Sequence, residues 1–162
     1  MSLNNASNLA RGGAEDSSGK RASALDKILD AWSPRVLSVV RIATALLFME
    51  HGLMKLVHFP AAQPGAPDPL PAFLIAAAVI EVVGGALIAA GVFTRIAAFI
   101  ASGEMAAAYF MLHAPVSFWP GVNQGDAAIL FCLFFLYLVF AGPGAWTLER
   151  VVGTWRPKFA ES

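Results

Sequence analysis

The chain has 162 residues, of which 57% are hydrophobic and 14% charged, with a formal net charge of zero and a mean hydropathy of +0.64. It is too apolar and too poor in charge for an ordinary soluble domain, so the bilayer is the expected solvent. Four spans of about 20 residues each would take half of this length and leave no room for a separate soluble catalytic domain, and a neutral chain carries no electrostatic footprint for nucleic acid.

In chain order, residues 1–23 are rich in Asn, Ser, Gly and Ala without an apolar period. They are expected to be a disordered tail, and they lack the apolar core of a signal peptide. Over residues 24–34, Leu25, Ile28, Leu29 and Trp32 fall at i, i+3, i+4 and i+7, and Pro34 closes the pattern. This predicts a short amphipathic helix on the membrane surface. Apolar runs bounded by breakers then predict spans over Val36–Val57, Pro71–Val92, Ile96–Ala114 and Asp126–Ala141. After Gly142, Pro143 and Gly144, residues 146–162 form a second surface-hugging tail in which Leu148, Val151, Val152 and Trp155 accompany Arg150, Arg156 and Lys158.

Charge sets the expected orientation. Lys20, Arg21, Lys27 and Arg35 precede the first span, Arg95 follows the second, and Arg150, Arg156 and Lys158 follow the fourth. The linkers 59–70 and 115–125 contain no Lys or Arg. By the positive-inside rule, both termini are cytoplasmic. The predicted architecture is all-α: an integral membrane four-helix bundle over residues 35–145. Gly84 and Gly85 in the second span, and Ala98, Ser102 and Ala106 in the third, allow close helix contacts.

Arg41, Glu50, Lys55, Glu81 and Glu104 fall inside spans. Each would cost roughly 2.5–3.5 kcal/mol at the centre of a lipid-facing helix, so they are expected to face inward or to pair. Either Arg41 pairs with a mid-depth glutamate and locks the bundle, or the group lines a polar cavity or proton path. Near the external boundary His51, His58, His113, Asn123, Gln124 and Asp126 share depth with Lys55, enough for a polar pocket open to the outside. His51, His58 and His113 could also be metal or haem ligands, but they show no recognised ligand spacing, and ordinary interfacial hydrogen bonding is the preferred reading. The lone cysteine, Cys132, excludes an internal disulfide and a self-contained dithiol cycle. No phosphate loop, nucleophile elbow or dinucleotide fingerprint occurs.

HGLMKL at His51–Leu56, EVVGG at Glu81–Gly85, GVFTR at Gly91–Arg95, and FWPGVNQGD at Phe118–Asp126 followed by AGPG together resemble the DoxX family, over Arg35–Leu148. Where that family more usually carries Asn-Gly-Gly-Glu, this chain has Asn123, Gln124, Gly125 and Asp126. The resemblance implies a small multi-pass protein of the bacterial inner membrane, in a family that includes membrane subunits of thiosulfate-to-quinone oxidoreductases and partners of redox enzymes. The leading expectation is therefore a subunit of a quinone-linked or redox-related complex. In it Arg41, Glu50, His51, Lys55, Glu81, Glu104, Asn123 and Asp126 are candidates for a ligand or proton site. No covalently bound cofactor is expected, and a redox-enzyme partner or a homo-oligomer would complete the assembly. A non-enzymatic membrane scaffold or binding protein is the alternative, and small-molecule or proton transport a third.

Overall fold

The computed structural model describes residues 4–154, with side chains from Ser23 to Val151. Trp155, Arg156 and Lys158 of the predicted C-terminal tail lie outside the described residues. Six α-helices follow one another: α1 Asn4–Leu56, α2 Ala72–Ala90, α3 Thr94–Ala108, α4 Pro120–Asn123, α5 Asp126–Ala141 and α6 Leu148–Thr154, with a π-helical turn at Tyr109–His113 extending α3. No strand occurs among the described residues. Three segments are long and apolar enough to cross a membrane, Ser23–Leu56, Ala72–Ala90 and Thr94–His113. Helix α5 has the bounds predicted for the fourth span, but its 16 residues reach only about 24 Å at 1.5 Å per residue.

The helix bounds differ from those read from sequence: one helix runs from Asn4 through Pro34 to Leu56 and does not close at Pro34. Proline costs a helix one internal hydrogen bond, and here the turns on either side continue undisturbed. The carbonyl of Pro34 also accepts from Ser38 Oγ at 2.9 Å and from the Ala145 amide at 2.9 Å. That joins α1 to the turn after α5.

Helix α1 packs along α2, α3 along α5, and α2 against α3. Phe48 of α1 stacks edge-on to Phe135 of α5 at 4.8 Å between centroids, so all four long helices share one core with Ile88, Ala98, Ala101 and Leu138. Small residues set the spacing. A Cβ on Gly52 would lie 2.7 Å from the Ala78 carbonyl oxygen and 2.9 Å from Glu81 Cβ, so only glycine lets α1 approach α2 there. A Cβ on Gly85 would run into Met49 Cγ and lie 3.0 Å from the Ala45 carbonyl oxygen, whereas one on Gly84 would meet only Ile80, 4.0 Å away on its own helix. Between α3 and α5, Ser102 Oγ donates to the Cys132 carbonyl at 2.9 Å, which gives Cys132 a packing role in that seam.

At one end of the bundle, arginines terminate helices. Arg41, 1% exposed, donates to the carbonyls of Pro143 at 2.5 Å, Trp146 at 2.7 Å and Ala89 at 3.3 Å. Arg95 donates to Val139 and, at 2.8 Å, to Phe140, at the C-terminal end of α5. The last carbonyls of a helix have no partner within it, and a guanidinium offers five donors to them. Glu149 Oε1 in turn accepts the Phe93 amide at 2.7 Å at the start of α3.

Candidate functional site

At the other end of the bundle a cation and an acid face each other across the Gly52 contact. Lys55, three residues after Gly52 on α1, donates through Nζ to both carboxylate oxygens of Glu81 on α2, at 2.6 and 2.8 Å. Glu81 is 1% exposed and the Lys55 side chain 11%. A buried pair of this kind is tolerated because each partner satisfies the other; removing one strands a charge in low dielectric.

The pair forms part of the wall of a cavity of about 530 Å³. Helix α1 contributes His51, Met54 and Lys55; α2 contributes Leu74 and Glu81; the π-turn region contributes Leu112 and His113; and α5 contributes Ala128 and Phe131. The proline-rich loop between α1 and α2 closes over it with Gln63, Pro64 and Pro67. Apolar walls with a few convergent polar groups are the general character of a small-molecule site. The π-turn is part of this architecture, since such turns shift the helix register locally and recur at functional sites.

Both cavity histidines are tied to a backbone carbonyl. His51 Nδ1 lies 2.8 Å from the Leu47 carbonyl, and His113 Nδ1 lies 3.1 Å from the Asn123 carbonyl. A carbonyl oxygen only accepts, so each Nδ1 carries a hydrogen. His51 is further held edge-on against Phe131, at 5.6 Å between centroids. Gln63 Oε1 is buried without a hydrogen-bond partner.

Of the residues singled out from sequence, His51, Lys55, Glu81, His113 and Gln124 come together here. Arg41 does not: it lies fourteen positions before Lys55 on α1, about 21 Å along the helix axis. The Arg41–glutamate pairing, one of the two alternatives, is replaced by backbone carbonyls, because the last turn of α2 and the turn after α5 supply three acceptors around its guanidinium. Glu104 is within electrostatic reach of Glu81 and Lys55 but is not part of the cavity wall, and its Oε2 is buried without a partner.

Glu50 sits in a separate shallow groove with Leu46, Met49 and Phe59. Asp126 is exposed in the first turn of α5, where a negative charge complements the helix dipole. Asn123 is buried and organises the loop: its Nδ2 donates to the Ser117 carbonyl at 2.6 Å and its Oδ1 accepts the Gly125 amide at 2.7 Å. His58 is exposed and lines a neighbouring cleft. Among the described residues no three His, Cys, Asp or Glu side chains are grouped to hold a metal ion.

Gln63 is the cavity residue that sequence reasoning passed over, since a polar residue in a Pro-rich linker reads as solvated loop. Gln124 stands out for its backbone. It has φ 58°, a left-handed conformation that favours glycine, at a position where the DoxX resemblance leads one to expect glycine.

Long apolar helices around a partly polar cavity define a multi-pass membrane protein. The chain belongs to the DoxX family, whose family model matches residues 36–114. It is 44% identical over 129 residues to an uncharacterized protein of Haemophilus influenzae, covering 75% of this chain and 94% of the relative. It is 25% identical over 147 residues to an uncharacterized membrane protein of Mycobacterium tuberculosis, covering 82% of this chain and 90% of the relative. No solved structure matches it.

Proposed function

We propose that this DoxX protein crosses the bacterial inner membrane four times with both termini in the cytoplasm, and serves a redox-linked membrane complex by binding a small quinone-class molecule in its outer half. The observation that carries the reading is the cavity of about 530 Å³ walled by His51, Lys55, Glu81 and His113. Its residues fit such a ring. Met54, Leu74, Leu112 and Phe131 supply apolar walls, and the Lys55 ammonium supplies a donor for an oxygen substituent. Orientation is supported by Arg41, Arg95 and Arg150, which bind backbone carbonyls around the opposite end, and by the lack of Lys and Arg in the loops at the cavity end.

The chain supplies binding and positioning, and the electron-carrying group belongs to a partner. Two measurements test this. Purification in mild detergent, followed by solvent extraction and mass spectrometry, is expected to recover a quinone-class molecule, and to recover less from Glu81→Gln. Thiosulfate-dependent reduction of a quinone analogue by membranes is expected to fall in a deletion strain; equal rates in deletion and parent membranes would sink the redox assignment.

A second reading, a non-enzymatic membrane binding protein or scaffold, is favoured by one observation: Lys55 and Glu81 already satisfy each other. Pull-down from gently solubilised membranes separates the two. A stoichiometric redox enzyme supports the first, and a stoichiometric partner without redox activity supports the second.

A further inference from the structure

Helices α2 and α3 form a hairpin joined by three residues, Gly91 to Phe93. Glu81 lies nine residues before Ala90 at the end of α2, and Glu104 ten residues after Thr94 at the start of α3. Both therefore stand about 14–15 Å from the turn, level with each other on two packed helices. Lys55 reaches the same level from α1 through its ion pair with Glu81. Two acids and one base, from three helices, thus meet inside the bundle. His51 on α1 is within electrostatic reach of Glu81 but not part of this level. On the π-turn, His113 and Tyr109 are committed to the Asn123 and Phe118 carbonyls. On α5, Cys132 faces Ser102, while Asp126 and Tyr137 are exposed. Lys55 commits two hydrogens to Glu81. No ion pair or hydrogen bond to the Glu104 side chain is made among the described residues, and its Oε2 is buried.

We propose that Lys55, Glu81 and Glu104 form a proton-binding site, in which two carboxyl groups share one ammonium and one proton, with the proton resting on Glu104. The ammonium neutralises one carboxylate. A second, level with the first and given no donor, would be an isolated charge in low dielectric, which costs far more than an unpaired neutral carboxyl group. With Glu104 as a carboxylic acid the trio is neutral. Glu81 and Lys55 belong to the cavity wall and Glu104 does not, so the proton is held behind the wall. When it passes from the Glu104 carboxyl to the Glu81 carboxylate, the Lys55 ammonium becomes the counterion of Glu104 and the net charge of the trio stays at zero. The acid then stands at the cavity. This site is independent of whether the cavity holds a quinone-class molecule.

The test is infrared spectroscopy of the full-length protein in dodecyl maltoside at about pH 7, where exposed carboxyl groups are ionised and give no carboxylic acid signal. The parent protein is expected to show a carboxylic acid C=O stretch that moves to lower frequency in heavy water. Glu104→Gln is expected to lose that band and, because the amide has the shape and neutrality of the acid, to keep its thermal midpoint. Glu81→Gln is expected to lose the band as well, since Lys55 then has Glu104 as its counterion. The parent and Glu81→Gln spectra read the site even if Glu104→Gln folds poorly. Absence of the band from the parent, or its survival in Glu104→Gln, overturns the proposal. Survival in Glu81→Gln overturns it too, because the ammonium is then not shared between the two acids.

Discussion

The two ends of the helical bundle handle buried charge in opposite ways. At the Arg41 end a guanidinium is distributed over three backbone carbonyls, one in the last turn of α2 and two in the turn after α5. At the Lys55 end an ammonium is paired with one carboxylate in the wall of a cavity, and Gln63 Oε1 nearby is buried without a partner. The first arrangement closes off the ends of helices, work that any folded state requires. The second keeps polar capacity in reserve, which is costly in low dielectric unless a ligand or water uses it. Buried charge alone therefore does not mark a functional site; what the charge touches decides.

The sharpest way to break this comparison is the Lys55–Glu81 pair. Lys55→Met is expected to destabilise the protein by about 3–5 kcal/mol, because Glu81 is stranded. Adding Glu81→Met should restore most of that loss. Thermal unfolding in detergent of both single variants and the double variant reads the coupling; simple additivity would show that the two side chains do not act as a pair.

Arg41→Met is expected to cost about 3 kcal/mol through the carbonyls it leaves unpaired. No carboxylate substitution should rescue it, and the relative affinities of cavity ligands should be unchanged in the protein that still folds. Rescue by Glu104→Met would mean that the arginine belongs to the acid cluster after all.

The smallest effect is expected at Gln124. Relieving its left-handed backbone with Gln124→Gly should stabilise the fold by about 1 kcal/mol, while removing an amide from the rim of the cavity. A gain in thermal midpoint accompanied by weaker ligand binding would mark Gln124 as a residue kept for the site at the expense of stability. A loss of stability would show that its side chain contributes to folding instead.

The order and extent of the helices were largely legible beforehand because hydropathy is local. Asp126–Ala141 matches its predicted bounds, and α2 differs from its predicted span by one residue at the start and two at the end. Pro34 misled because a proline penalises a helix without forbidding it, and a long helix tied to the Ala145 turn continues through. His51 and Lys55 were legible as neighbours because a four-residue spacing places them on one face of a helix. Arg41 and Gln63 were not: the partners of the first are carbonyls about fifty and a hundred residues away, and the second acquires its role only when the loop folds over the cavity.

By itself, the sequence determined that this is an apolar, multi-helix chain with polar groups concentrated in identifiable turns, since periodicity and transfer free energy act residue by residue. The tertiary structure alone decided which charges meet. Gly52 brings α1 close enough for Lys55 to reach Glu81, and the π-turn and the α1–α2 loop bring His113 and Gln63 to the same cavity. Pairing depends on distances between helices, and those are set by packing of small residues across an interface that no single segment encodes.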